Sequence, residues 1–327
     1  MKDILHPILR HDRPVIDTMP VLKLAGTLAN CLEYGRPSLR SIGDGRVGKS
    51  TATDILRNTM GWRPFPLGFL RFVCGDPQDH TEAYLMRQIA SGMRLTYPAR
   101  APTQDITRRI VLAIEEEASR ADARVVVIIV DSAEQLSLED YNHLAKIQNE
   151  FQGNPVQPFF LFVHQSDHKL QGSEKLANLA PPHTYGRFFV DTHYFTGLRW
   201  EFSRGDQEHQ DASDVALAFR QYDKVLRWPD TEGPTYTEQF APNIFASGGL
   251  EAWTQRIEEE MKSLCTATQL AMPPDWQMSS FNGFVFALFQ MFVEFPNCSE
   301  LTSEKIRTAL QRSAFEGFER ARQRSRV

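Results

Sequence analysis

Two runs along this chain are apolar at almost every position and too short for helices: Arg124-Val125-Val126-Val127-Ile128-Ile129-Val130-Asp131 and Phe159-Phe160-Leu161-Phe162-Val163-His164. Continuous β-branched and aromatic runs of this length predict strands buried on both faces of a parallel sheet. Leu67 to Cys74 and Ser38 to Ile42 predict two more strands, and Arg187 to Phe195 a last one. Between them the apolar spacing turns helical. Val21, Leu24, Leu28 and Leu32 predict a helix over Val21 to Tyr34, and further helices are predicted over 50–60, 81–92 and 103–121. Strands alternating with helices imply an α/β domain with a parallel sheet.

Beyond Pro234 the pattern changes and no strand is predicted. Helices are expected over Val215 to Trp228 and Leu250 to Leu264. A final one is capped by Thr302 and carries Ile306, Leu310, Ala314 and Phe318 at steps of four. The most apolar run, Phe281 to Phe295, includes Asn282, Gln290 and Glu294. It falls short of the ~20 residues of a membrane span, so it is read as a buried helix. Glu201 to Ser213 is polar and acidic and reads as a loop. The expected organisation is an N-terminal arm over 1–20 with three prolines, an α/β core over 21–200, and a linker with a helical lid over 201–327. That lid ends in a basic tail, Arg320, Arg322, Arg324 and Arg326.

Composition narrows the class. Hydrophobic residues make up 42% and charged residues 24% of the 327, the balance of an ordinary globular protein. A net charge of −5 argues against a uniformly basic nucleic-acid surface and leaves room for a local patch. Cys31, Cys74, Cys265 and Cys298 form no C-x-x-C pair, which disfavours a zinc site or a disulfide framework and suits a reducing cytosol. The N-terminus has no signal-peptide core, so a cytoplasmic location without membrane contact is expected.

One motif dominates the chemistry. Gly43-Asp44-Gly45-Arg46-Val47-Gly48-Lys49-Ser50, followed by Thr51, matches the phosphate-loop pattern G-x-x-x-x-G-K-[ST] between a predicted strand and a predicted helix. The glycines let backbone N–H groups turn inward on phosphate oxygens, and the helix N-terminus adds its dipole. Lys49 is assigned to the β- and γ-phosphates of ATP and the Ser50 hydroxyl to Mg²⁺. Asp131 closes the most apolar strand, where such proteins hold the magnesium-side acid. Gln165 and Ser166 end the next strand, where open α/β sheets bind ligands, so Gln165 is a candidate γ-phosphate sensor. His164, Asp167 and His168 offer two histidines four apart, read as a polar loop rather than a metal site. The chain lacks the Asn-Lys-x-Asp of GTPases and the Leu-Ser-Gly-Gly-Gln of ABC ATPases. Strands followed by helices suit the AAA+ plan, a parallel five-stranded sheet flanked by helices and followed by a C-terminal helical lid.

Three stretches together resemble the TnsC/TniB class of AAA+ regulators of DNA transposition, relatives of MuB and IstB. They are Ser41 to Ser50, Ile129-Val130-Asp131-Ser132-Ala133-Glu134-Gln135-Leu136, and Tyr185-Gly186-Arg187-Phe188-Phe189, with Phe195-Thr196-Gly197-Leu198 following. The resemblance covers roughly residues 20–200. It implies ATP-bound subunits that assemble as rings or helical filaments on duplex DNA. It also implies a link between a transposase and a target selector, TniQ-like or a CRISPR effector complex. It makes Arg187 the arginine finger supplied to a neighbouring subunit. It places DNA contacts between the second strand and Asp131, on Arg94, Arg100, Arg108 and Arg109.

In one respect the chain departs from that class. The residue after the aspartate is usually a glutamate that orients the attacking water, and here it is Ser132. A serine is a poor base at neutral pH. Either Glu134 substitutes, or hydrolysis is slow and ATP serves mainly as an assembly ligand; slow hydrolysis is the expectation. A STAND-type signalling switch and a P-loop phosphotransferase are the alternative functions.

Overall fold

The computed structural model describes residues 6–10, 13–75, 80–166, 170–201 and 212–324, with the backbone alone at 170–174. Asp167, His168, Arg326 and most of the loop expected over Glu201 to Ser213 lie outside them. The chain divides into a sheet-bearing unit, Lys23–Gly45 with Lys49–Phe195, and a helical unit made of Met1–Leu22, Arg46–Gly48 and Thr196–Val327.

After α1 (Met19–Glu33), the sheet-bearing unit sets out β1 (Ser38–Gly43), α2 (Lys49–Asn58), β2 (Leu67–Val73), α3 (Glu82–Gly92) and α4 (Thr103–Arg120). Then follow β3 (Val125–Asp131), α5 (Leu138–Glu150), β4 (Gln157–Gln165), α6 (Leu170–Leu179), α7 (Pro182–Phe188) and β5 (Thr192–Tyr194). The strands form one sheet in the order β2-β3-β4-β1-β5, and every pair is parallel. Val126 to Val130 and Phe159 to Val163 are buried throughout, as their unbroken apolar runs require. Helix α3 starts where the Thr81 hydroxyl accepts from Tyr84 N–H. Helix α5, which the apolar spacing did not predict, starts on a capping box between Ser137 and Asp140.

The last strand is shorter than expected. Arg187 and Phe188 end a helix rather than open a strand, and only Thr192–Tyr194 pair with β1. The reason is local. Pro182 sits at the first helical position, where a fixed φ favours helix and a missing N–H costs nothing. Phe188 and Phe189 then turn into a core with Tyr141 and Phe162.

The helical unit contains β6 (Leu198–Arg199), α8 (Asp214–Arg220), α9 (Tyr236–Phe240), α10 (Pro242–Ala246), α11 (Thr254–Ala267), β7 (Asp275–Trp276), α12 (Met278–Glu294), α13 (Ser303–Arg312) and α14 (Phe315–Arg324). Helix α8 passes into one π-helical turn, Gln221–Val225, so the helix expected as far as Trp228 stops early. A strand does exist beyond Pro234: β7 pairs antiparallel with β6. Helix α12 is the buried helix read from sequence, with Phe281, Phe284, Leu288 and Phe289 fully enclosed. Ile8 and Ile16 join the same core.

The single final helix is corrected to two. Ala314 stands at φ +55°, and the Ser313 hydroxyl donates to Leu310 O at 2.7 Å, closing α13. The break places Phe315 in the core and leaves Ala314 exposed, burying a far larger apolar side chain than an uninterrupted helix would. The basic tail is partly internal. Arg322 is buried and pairs with Asp275 at 2.7 Å, and Arg320 pairs with Glu316 at 2.8 Å.

Candidate nucleotide site

Strand β1 delivers the chain to the loop at the carboxyl edge of the sheet, and α2 leaves from it. No acidic residue stands in the first turn of α2, and the positive end of its dipole faces the loop. Thr51 lies exposed in that turn. Gly48 has φ +105°, a conformation that only glycine adopts without strain. Gly43 is needed for another reason: a Cβ there would stand 2.2 Å from the Phe195 carbonyl oxygen, so the residue lets the segment after β5 close against β1. Arg46 also has positive φ, and within the helical unit its carbonyl accepts from Ser279 N–H at 3.3 Å.

Lys49 Nζ donates to Gly43 O and Asp44 O, each at 2.6 Å, which holds the ammonium over the loop. Ser50 Oγ donates to Asp131 Oδ2 at 3.2 Å. A hydroxyl and a carboxylate converging at the carboxyl edge form a hard oxygen donor pair, and this chemistry fits Mg²⁺. Gly43 pairs with Gln165 and Val73 with Asp131, so the loop, Asp131 and Gln165 share one sheet edge. The Ser166 hydroxyl ties β4 to the loop by donating to Asp44 Oδ1 at 2.8 Å.

The turn after Asp131 places its two candidates differently. Ser132 stands at φ +56°, with its N–H donating to Asp131 Oδ1 at 3.0 Å. A short 3₁₀ turn, Ala133–Gln135, then returns Glu134 to the sheet, where its Oε2 accepts from Gln165 N–H at 2.9 Å. His164 is buried on β4, and burial followed by the nearby Arg40 and Lys49 charges lowers its pKa to about 3, leaving it neutral. Among the described residues no group of three or more His, Cys, Asp or Glu is arranged to hold a metal. All four cysteines are buried free thiols.

Arg187 lies at the opposite, amino edge of the sheet. Its carbonyl accepts from the hydroxyl of Ser38, the first residue of β1, and its guanidinium donates to Ala145 O at 3.1 Å. It therefore stands away from the loop carried by its own β1. Arg94, Arg100, Arg108 and Arg109 are all exposed. Arg94 lines a cleft of about 890 Å³ along the open edge of β2, together with Arg57, Arg71, Arg87, Tyr84 and Tyr97. Among the described residues no acidic residue lines that cleft, and Arg100, Arg108 and Arg109 stand outside it.

Sequence reasoning missed Arg71. One of its guanidinium nitrogens donates to Asp131 Oδ2 and the other to Asp54 Oδ1 at 2.9 Å. The available signal was a single charge inside the apolar strand Leu67 to Val73.

No family model matches the chain, and no curated protein matches it. Solved structures do. The ORC2 protein of Aeropyrum pernix is 15% identical at a TM-score of 0.50, over 94% of this chain and 72% of that one. The ORC1 protein of the same organism, solved in complex with DNA, is 13% identical at a TM-score of 0.47, over 92% and 67%. Cdc6p of Pyrobaculum aerophilum is 12% identical at 0.43, over 95% and 89%. At these identities the likeness is one of fold. This chain has the fold of AAA+ P-loop ATPases, a parallel five-stranded sheet flanked by helices, with further helices after it in sequence.

Proposed function

We propose that this protein is an ATP-dependent, DNA-binding AAA+ ATPase of the TnsC/TniB type, which oligomerises on duplex DNA and couples target-site selection to a transposase. The observation that carries the nucleotide part is the meeting of Lys49, Ser50 and Asp131 at one end of the sheet. There the loop N–H groups and Lys49 would hold phosphates, and Ser50 with Asp131 would hold the Mg²⁺ that neutralises phosphate charge. The ORC2 protein with a similar fold was solved as ADPNP and ADP complexes, in keeping with this reading. The transposition role rests on the sequence resemblance.

Two further observations support assembly on DNA. Arg187 stands at the sheet edge remote from its own loop, as a finger for a neighbour's γ-phosphate requires. The cleft beside β2 is lined by Arg57, Arg87 and Arg94, a surface suited to a phosphate backbone. Glu134, returned to the sheet edge, is the residue best placed to orient water, and Ser132 is the weaker base.

The test is anisotropy of a labelled duplex with an ATP analogue. Binding is expected to require nucleotide, to show little sequence preference, and to weaken steeply with salt. Charge removal at Arg94, Arg100, Arg108 and Arg109 together is expected to lower affinity and flatten the salt slope, by ~0.9 for each phosphate no longer neutralised. Nucleotide-independent, salt-insensitive binding would refute the reading. Wild-type affinity in the quadruple variant, with weaker binding on removing Arg57 and Arg87, would move the DNA surface into the cleft.

A further inference from the structure

The charge around Asp131 is unusual for a magnesium ligand. Its Oδ2 accepts from both Ser50 Oγ and the Arg71 guanidinium, so the oxygen that would face a metal is already engaged by a fixed cation. The arrangement is built. Arg71 is three-quarters buried, and Asp131 is more enclosed still, with 15% of its side chain exposed. The other guanidinium nitrogen is tethered by Asp54 on α2, which is half-exposed. A planar fork with nitrogens directed at two separate carboxylates is a geometry that arginine supplies and lysine does not. Strand pairing fixes it further, since Arg71 lies opposite Ile129, two residues before Asp131 on β3.

We infer that Arg71 is a positioning residue that competes with Mg²⁺ for Asp131 and thereby sets the metal concentration at which nucleotide is held. The inference rests on the proposed nucleotide site. A positive charge on the metal-facing oxygen stabilises the metal-free form, and Mg²⁺ binds only by displacing or sharing that oxygen. Asp54 works in the opposite sense, drawing the guanidinium away from Asp131. Removing Arg71 therefore lowers the Mg²⁺ requirement, and removing the Asp54 charge raises it through Arg71.

The experiment is a Mg²⁺ titration of fluorescent-nucleotide binding to the full chain, with no turnover measured. Arg71→Gln is expected to lower the Mg²⁺ midpoint about two- to fivefold, the range that a partly exposed ion pair supports. Asp54→Asn is expected to raise it by about 1.5- to twofold. The double variant is expected to match Arg71→Gln alone, because Asp54 acts only through the arginine it tethers. A purely structural role would not give shifts of opposite sign that collapse in the double variant. An unchanged or raised midpoint in Arg71→Gln, or an additive double variant, overturns the inference while leaving the nucleotide site intact. Wild type that binds no nucleotide at any Mg²⁺ concentration overturns both. Should Arg71→Gln fold poorly, Asp54→Asn at its exposed position carries the test alone, and an unshifted midpoint there counts against the inference.

Discussion

Gly43 opens the phosphate-loop motif, yet the structure predicts that Gly43→Ala fails through stability before it fails through nucleotide binding. An added Cβ meets the Phe195 carbonyl oxygen at 2.2 Å and its carbon at 3.1 Å. Both are backbone atoms, so no rotamer change relieves the clash, and the segment must withdraw by about 1 Å to restore ordinary contact. Phe195 N–H donates to Ile42 O at 2.7 Å, and that bond is the first casualty. Losing it costs about 0.5–1.5 kcal/mol, and overpacking at a closed site adds about 1–3 kcal/mol. Strand β5 has only three residues, Thr192–Tyr194, all paired to β1, and its further ties are the Arg40–Thr192 and Thr27–His193 side-chain hydrogen bonds. The expected loss is about 2–4 kcal/mol, read from urea denaturation of wild type and variant. Nucleotide affinity, measured where the variant is still folded, should fall far less than in Lys49→Ala, which removes the cation proposed to hold the phosphates. A stability loss under about 0.5 kcal/mol, inside the scatter of ordinary surface substitutions, would refute the steric reasoning.

Three further outcomes follow from the geometry. Arg187→Ala is expected to keep nucleotide binding and lose ATP-dependent oligomers in analytical ultracentrifugation; lost nucleotide binding with normal oligomers would show that it acts within its own subunit. His164 is held near pKa 3 in the fold against about 6.5 unfolded, so both states are neutral above pH 6.5. Below that the unfolded chain alone takes the proton, and stability should fall by about 2–3 kcal/mol by pH 4.5. His164→Leu should remove that part of the slope, and parallel stability curves would contradict the assignment. Steady-state ATP turnover with DNA is expected to be slow and to rise in Ser132→Glu; fast wild-type turnover that collapses in Glu134→Gln would show instead that Glu134 fully substitutes.

What could be read from sequence was what short range decides. The loop, β3 and β4 declare themselves because each is a contiguous run whose burial or glycine content has a local cause. Helix α5 was equally legible in principle, since Ser137 and Asp140 spell a capping box, but its apolar positions follow a loop and draw no attention. Arg187 to Phe195 misled because aromatic, β-branched residues suit a strand, while Pro181 and Pro182 had already committed the chain to a helix. Strand β7 is two residues long and exists only through its pairing with β6. Ala314 takes a positive φ against its own preference, and the gain from burying Phe315 lies in packing that no local window contains. The link from Arg71 to Asp131 is of the same kind. The charge in the strand is visible, but its partner is set by sheet order.

That sheet order also bears on how copies would meet. Strand β1 carries the phosphate loop at its carboxyl end and touches Arg187 through Ser38 at its amino end. The five steps from Ser38 to Gly43, at about 3.3 Å each, separate the two by about 16 Å, too far for one arginine to serve its own loop. If Arg187 completes a phosphate site, it completes one on another copy, through a different surface from the one that receives its neighbour's arginine. An interface between unlike surfaces is heterologous, and its repetition closes into a ring or runs on as a helix, whereas a two-fold dimer cannot be built from it alone. The prediction is sharp in a mixing experiment. Arg187→Ala and Lys49→Ala chains, each inactive alone, should regain some ATP turnover when combined, because an intact loop can then sit beside an intact arginine. A two-fold pairing with Arg187 acting in its own subunit would give no recovery at any ratio.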